Sequence, residues 1–466
     1  MNIFLFNKSL RCTDNTTLIY QNKIEKKVTP IFVFTEQVNS EFNHYINYNS
    51  IKFMIESLIE LSEEITKKKG ELYFFHHNNL IETLQEIHLQ KPIMSIGTNF
   101  DYSPYAISRQ EQLKIFCDDN KITFYLKEDH VLHDILGNET KKSDNTPYSV
   151  FTPFRNHCCK LPIREPDKFK KFIFEKHSIL KKNKYNVKKK KLNQFIKSDL
   201  EVNSGRKNAK NIIRNLKKFL DYEEERDILT YQTTRLAVHN HFGTVSIREV
   251  YYTVMKEGIN GVINGLYWRD FYYNLILNNP HMLKNMIFTD QNSTFRKKFN
   301  LIKWNYNSEL FEKWCQGKLG IPICDAGMIE LNTTGNMHNR IRMLTSCVLC
   351  KLLLLPWQWG EKYFAQKLID YDSVQNSGGW NWTIGGVDPN NVFRIFSPKS
   401  QNEKFDPNCE YVIRYIPELK TVPIKDIINW ENSYEKYKGI YLPPCIDYSE
   451  YRKKAMEELK MVNKVM

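Results

Sequence analysis

Between Leu368 and Trp382 the chain reads LIDYDSVQNSGGWNW, a short stretch holding two acids, two asparagines, a glycine pair and two tryptophans. The acids and the carboxamides offer hydrogen-bonding groups to a polar ligand, the glycines let backbone approach a flat one, and the indoles provide stacking faces. On an extended or turn segment, the i, i+2 spacing of Trp380 and Trp382 sends the two rings to opposite sides, one toward a cofactor and the other toward a separate pocket. A second cluster, TGNMHNRIRM (334–343), predicts a helix with Asn339 and Met343 on one face and Arg340 and Arg342 on its flanks. Such polar side chains entering an apolar helix suit a ligand with several acceptors, or an ion-pair network with Asp370 or Asp372. The third cluster is the aromatic segment NGLYWRDFYYNLILNN (264–279), where Gly265, Trp268 and Tyr272 share a helical face. Arg269 and Asp270 sit among its aromatics, and a charge buried there has to be paired or has to meet a ligand.

These groups need a scaffold. All eight tryptophans lie at or beyond Trp268, which places the aromatic chemistry in the C-terminal half. A chain of 466 residues predicts two or three domains. In its first third the runs IFLF, PIFVF, LYFF, IMSI and ITFY alternate with helical patterns such as IKFMIESLIELSEEI and YAISRQEQLKIF. That alternation predicts an α/β domain around a parallel sheet. No Gly-x-Gly-x-x-Gly follows the first strand, which excludes a plain dinucleotide-binding domain. Residues 135–200 are polar and lysine-rich, as expected of a connection with some helix, and from about Asn208 onward the pattern is almost wholly helical.

Hydrophobic residues make up 41% of the chain, and no apolar run is long enough to span a bilayer. The N-terminal stretch lacks a signal-peptide profile, so a cytoplasmic or nuclear location and no membrane partner are expected. Cys347 and Cys350, inside LTSCVLCKLLLL, predict buried thiols and no metal site. The net charge of +14 points to a polyanionic partner, although the run Lys181–Lys191 predicts a solvated linker.

In this order, the pieces resemble the photolyase/cryptochrome family over nearly the whole chain. FLFNKSLRCTDNTTL is similar to the family's opening strand and turn, and DYEEERDILTYQTTRLA to its flavin-phosphate segment. More specific are TGNMHNRIRM, LIDYDSVQNSGGWNW and FRIFSPKSQNEKFDPNCEYVIRYIPEL. Their Met-His-Asn-Arg and Gly-Gly-Trp-x-Trp forms are those of the microbial-type, class I cyclobutane pyrimidine dimer photolyases. The resemblance implies an α/β, Rossmann-like antenna domain (1–134), a connector (135–204) and an all-α FAD-binding domain (205–466). It implies FAD held by Tyr222, Thr233, Thr234, Arg235 and Leu236 around the phosphates, by Arg269, and by Arg342, Asp370 and Asp372 along the ribityl chain and ring, with Asn376 beside flavin N5. It also implies an electron relay through Trp380, Trp357 and a surface-exposed Trp304. Trp268 and Trp382 become the walls of a lesion pocket, and Asn339, Arg340 and Met343 lesion-side residues. Arg226, Arg394, Lys399 and Gln401 fall near the DNA strand. The implied partner is UV-damaged DNA, the implied state a monomer, and the implied second chromophore a folate or a deazaflavin.

Three positions depart from the family pattern. Gly265 stands where photolyases carry a glutamate that hydrogen-bonds the damaged pyrimidine, Asn336 where an aromatic residue is common, and Ala237 where a serine often helps bind phosphate. Two functions follow from the resemblance, a light-driven repair lyase or a cryptochrome photoreceptor without repair activity. The basic charge, Asn339 and Arg340 favour the first, and Gly265 favours the second.

Overall fold

The computed structural model describes residues 1–279, 302–385 and 393–464. Their contacts form two compact units, Met1–Leu220 with Thr234–Asn278, and Asp221–Thr233 with Asn279–Met466. The aromatic helix that carries Trp268 belongs with the first unit.

The first unit is built on a sheet of β1 (Asn2–Phe6), β2 (Thr29–Phe34), β3 (Tyr73–His76), β4 (Ser95–Asn99), β5 (Thr123–Lys127) and β6 (Asn186–Val187), in the order β5-β4-β1-β2-β3-β6. Its first five strands are parallel, whereas β6 runs antiparallel to β3 with Val187 opposite Phe74. Every residue of β2 is buried, which explains its continuous apolar run in place of alternation. The helices Thr16–Glu25, Tyr48–Lys67, Leu80–Gln90 and Pro104–Asp119 each start where Asn15, Asn47, Asn79 or Ser103 accepts a backbone N–H of the first turn. Such caps satisfy donors that the helix itself leaves open.

The lysine-rich connection does more than link. It holds a helix, Phe151–Cys158, and supplies β6, which covers the edge of β3. Lys181, Lys184 and Lys189 pair with Glu71, Glu86 and Glu63 at 2.8, 3.0 and 3.4 Å, so the charge run expected to be a solvated linker is moored to the first unit. Beneath lies a buried ion cluster in which Arg11 meets Asp129 at 2.6 Å and Arg248 meets Asp14 at 2.7 Å and Asp129 at 3.0 Å. Paired in this way, the charges escape the cost of lone burial.

The second unit is helical. Its core gathers Trp314, Trp357 and Trp380 with aliphatic side chains from the helices Ser308–Gln316, Pro322–Thr334, Asn339–Cys347, Trp357–Lys367 and Ser373–Ile384. Cys347 and Cys350 are both buried free thiols, and Cys350 is part of that core. Among the described residues no helix is long and apolar enough to cross a membrane.

Candidate functional site

In the second unit, the acids of LIDYD take separate tasks. Asp372 caps the Ser373–Ile384 helix, its Oδ1 accepting the backbone N–H groups of Val374 (3.0 Å) and Gln375 (3.1 Å). Asp370 receives Arg342, whose Nη2 reaches both carboxylate oxygens at 3.1 and 3.0 Å while its Nε donates to the Met337 carbonyl at 2.9 Å. The ion pair foreseen for this cluster therefore forms with Asp370, and it fixes the guanidinium plane.

That cap corrects one expectation. The Gly-Gly-Trp-Asn-Trp run is helical and not extended, because Asp372 starts the helix and Gly385, left-handed at φ 90°, ends it. Trp380 and Trp382 still diverge, since two residues are a little over half a helical turn. Trp380 is buried and Trp382 half-buried. The adjacent Trp357–Lys367 helix makes room for Trp380 at Gly360, where a Cβ would come within 2.2 Å of the indole. One turn earlier on the Trp380 side, Asn376 donates to the backbone carbonyl (3.0 Å) and Oε1 (2.8 Å) of the buried Glu361. Glu361 was not foreseen from sequence, because a glutamate within WGEKYF looks like any exposed helical acid.

The Asn339–Cys347 helix is capped by His338, whose Nδ1 accepts the Arg340 N–H at 3.2 Å. Its Nε2 lies 3.0 Å from the Arg226 carbonyl, which sets the tautomer as Nε2–H and ties the Arg226 turn to this helix. Arg340 pairs with Asp227 and lies 4.9 Å over the Phe405 ring. Partial burial alone would raise the Asp227 pKa, but the Arg340 contact outweighs it and holds the carboxyl below its ordinary range. Asn339 is exposed, with its amide 3.8 Å from the Met343 sulfur. Tyr222, half-buried, packs edge-on to Tyr231, and Thr233 is also half-buried.

Beyond the core, Arg394 and Lys399 are exposed and Gln401 is half-buried. The Arg394 carbonyl accepts from Lys351 Nζ at 3.2 Å, and the Cys347 thiol accepts the Phe396 N–H at 3.3 Å, so the backbone beneath Arg394 is gripped from the core. Lys399 and Gln401 ride on the Pro398–Phe405 helix, which Ser397 caps. Of the relay residues, Trp357 is buried. Trp304 is partly buried against the same core.

The first unit holds the other assigned residues. Thr234 Oγ1 accepts from the Leu236 N–H at 3.4 Å, and Arg235, left-handed at φ 53°, precedes the Leu236–Phe242 helix. Arg269 donates to the His130 carbonyl, lies 4.8 Å over Tyr273 and stands 3.7 Å from Asp270. Asp270 accepts the Leu132 N–H at 2.8 Å, and burial pushes its carboxyl up to about 7 despite the Arg269 charge. Trp268 stacks on Phe151, centroids 3.7 Å apart and planes 9° from parallel. Gly265 is exposed, and a Cβ there would meet nothing within 4 Å.

These residues fit a flavin. In the second unit, a fixed guanidinium–carboxylate pair and a carboxamide held in place by Glu361 are groups that a ring edge and a ribityl chain require, and in the first unit the Thr234 hydroxyl lies in a turn of the kind that suits a phosphate. Among the described residues, the buried carboxamide oxygens of Asn240 in the first unit and Asn381 in the second have no protein partner, and Gly379 leaves open space on the Trp380 helix.

Comparison with known proteins agrees with this chemistry. Residues 2–170 match the DNA photolyase family model, and residues 262–461 match the model described as the FAD binding domain of DNA photolyase. The deoxyribodipyrimidine photo-lyase of Buchnera aphidicola subsp. Acyrthosiphon pisum is 30% identical, with 98% of this chain and 96% of that protein covered. Its counterpart in Alkalihalophilus pseudofirmus is 32% identical over 88% of this chain and 87% of its own length. An archaeal photolyase from Sulfolobus tokodaii, whose crystal structure holds two FAD molecules, superposes with a TM-score of 0.85 at 33% identity, covering 99% of this chain and all of that one. With a sheet domain, a flavin-compatible donor set and whole-length likeness converging, the chain belongs to the DNA photolyase family.

Proposed function

We infer that this protein is a deoxyribodipyrimidine photolyase, a lyase that uses light to split cyclobutane pyrimidine dimers in UV-damaged DNA. The reading rests above all on the Ser373–Ile384 helix, where Asp372, Asn376 and Trp380 follow one another at the spacing that brings Asn376 onto Glu361 and Trp380 against Gly360. FAD is the cofactor, and bound in its reduced form it supplies the electron that opens the dimer and takes it back.

The chain's own residues bind, orient and shield. Arg342, held by Asp370, and Arg269 favour an anionic ring. Thr233, Thr234, Arg235, Leu236 and Tyr222 serve the phosphates, Asp372 the ribityl region, and Asn376 the N5 edge. Trp268 and Trp382 wall the lesion pocket, with Asn339, Arg340 and Met343 at its lesion side. Leaving the stack costs a few kcal/mol, least for a damaged dinucleotide, which makes an aromatic pocket selective. Arg226, Arg394, Lys399 and Gln401 hold the strand, and Trp380, Trp357 and Trp304 form the relay that recharges the cofactor. Residues 1–134 act as the antenna domain, 135–204 as connector and 205–466 as the flavin domain. The protein works as a monomer in the cytoplasm or nucleus, where its DNA is. Two FAD molecules in the Sulfolobus neighbour add a flavin to folate and deazaflavin as antenna candidates.

Purified protein, reduced and illuminated with a dimer-containing oligonucleotide, tests the reading. A rise in pyrimidine absorbance with turnover is expected, because splitting the cyclobutane ring re-forms the C5=C6 double bonds. A flavoprotein that leaves the dimer intact under light is instead the photoreceptor.

A further inference from the structure

We propose that the second unit contains a second electron path from Trp380 to the surface, running through Trp314 and Trp359 to Tyr306. It rests on the assignment of Trp380 as the flavin-proximal tryptophan. Trp380 lies 6.4 Å, centroid to centroid, from the fully buried Trp314, and Phe364 packs against both, 5.2 Å from Trp380 and 5.8 Å from Trp314. Trp314 stacks on Phe311 at 5.9 Å, and Phe311 meets Trp359 at 5.2 Å. Trp359 is only partly buried and touches Tyr306 at 5.9 Å, where the phenol is 71% exposed. Each step is a ring contact in the range of aromatic pairs.

Packing alone accounts for the buried part of this chain but not for its exit. A tyrosine that leaves most of its ring in water gains little from burial. The chemistry of each station also differs in a useful order. Phenylalanine is the hardest of these rings to oxidise, so Phe311 bridges Trp314 and Trp359 without holding the vacancy, which rests on the indoles and the phenol. Trp314 donates its Nε1–H to the Thr345 carbonyl at 3.0 Å, and a carbonyl is too weak a base to take that proton, so the vacancy stays mobile there. Tyr363, 5.9 Å from Trp314, is a dead end because its hydroxyl is tied at 2.6 Å to Asn332 Oδ1, an amide oxygen too weak as a base to take its proton.

At Tyr306 the balance closes. Trp380 gives one electron to the photoexcited oxidised flavin, Trp314 refills Trp380, Trp359 refills Trp314, and Tyr306 refills Trp359. As Tyr306 loses its electron, its phenolic proton passes to water, which leaves a neutral radical. An external thiol then returns one electron and one proton and is itself oxidised.

The test uses the FAD-loaded protein under blue light with added thiol. Flavin bleaching is followed in wild type, Trp357→Phe, Trp359→Phe, Tyr306→Phe, the Trp357→Phe/Trp359→Phe double variant and Trp380→Phe. A nitroso spin trap with peptide mass mapping reports where the radical rests. Bound FAD per chain checks that each variant is folded. Photoreduction that is slowed but persists in Trp357→Phe, its loss in the double variant, and a trap adduct on Tyr306 that disappears in Trp359→Phe are expected. Complete loss in Trp357→Phe with FAD still bound, or no adduct on Tyr306, overturns the second path. Undiminished photoreduction in Trp380→Phe overturns the assignment of Trp380 itself, and the path with it.

Discussion

The amide nitrogen of Asn376 donates both to the backbone carbonyl of Glu361, at 3.0 Å, and to its Oε1, at 2.8 Å, which locks the residue assigned to flavin N5 onto the neighbouring helix. Glu361→Ala removes the side-chain acceptor and leaves a donor short of a partner, at a cost of about 1–3 kcal/mol. We expect a lower denaturation midpoint and faster air reoxidation of the reduced flavin in Glu361→Ala, with both restored in Glu361→Gln, whose Oε1 still accepts. Stability loss with an unchanged reoxidation rate shows that Glu361 supports the fold only.

Much of this architecture was legible in sequence because it obeys simple periods. Five parallel strands followed from short apolar runs between helical patterns, and the Arg342–Asp370 pair followed from opposite charges near one apolar helix. β6 was hidden because two residues, Asn186 and Val187, carry no period. The helix at Trp380 was hidden because two adjacent glycines argue against helix, whereas the Asp372 cap and tertiary packing impose it. His338 and Glu361 were hidden because neither a histidine cap nor a buried glutamate has a local signature.

DNA binding is expected to fall steeply with salt. The Arg394 side chain is exposed while Lys351 grips the carbonyl beneath it, so Arg394→Ala removes a charge without unfolding its segment. Each phosphate contact adds about 0.9 to the slope of log affinity against log salt. Arg394→Ala should weaken binding to all sequences alike and flatten that slope by about 1. Titrations of a dimer-containing duplex at several salt concentrations check this.

Asp270 gives the fold a pH dependence near neutrality. Burial raises its carboxyl from the ordinary 3.8 to about 7, so the unfolded chain ionises first as pH rises. Its contribution is most favourable below pH 3.8 and is lost as pH rises through about 7, where the folded protein has to carry a buried charge beside Arg269. Asp270→Asn keeps an acceptor for the Leu132 N–H and should remove this slope. Urea unfolding between pH 5 and 8, on either side of the value of about 7, is the measurement. A slope that survives in Asp270→Asn assigns it to another group.

Gly265 is the departure that bears most on substrate. It lies on the same helix as Trp268, is exposed, and offers a new Cβ open space to 4 Å, so a longer side chain there displaces nothing near the backbone. Gly265→Glu also favours the helix, since glycine in a helix interior costs about 1 kcal/mol relative to alanine and glutamate is a good former. The variant should therefore be no less stable. If the lesion pocket lacks a hydrogen-bonding group where relatives place a glutamate, the variant should bind a cyclobutane dimer more tightly and repair more of it per flash. The competing account is that Asn264 already serves, because its Oδ1, one residue away, is buried without a partner among the described residues. Asn264→Ala separates the two. Weaker dimer binding in Asn264→Ala, with no gain in Gly265→Glu, assigns the contact to Asn264, whereas the reverse assigns the deficit to Gly265. Single-turnover repair of a cyclobutane dimer and of a (6-4) product, measured side by side, also shows whether the glycine widens the pocket for a bulkier lesion.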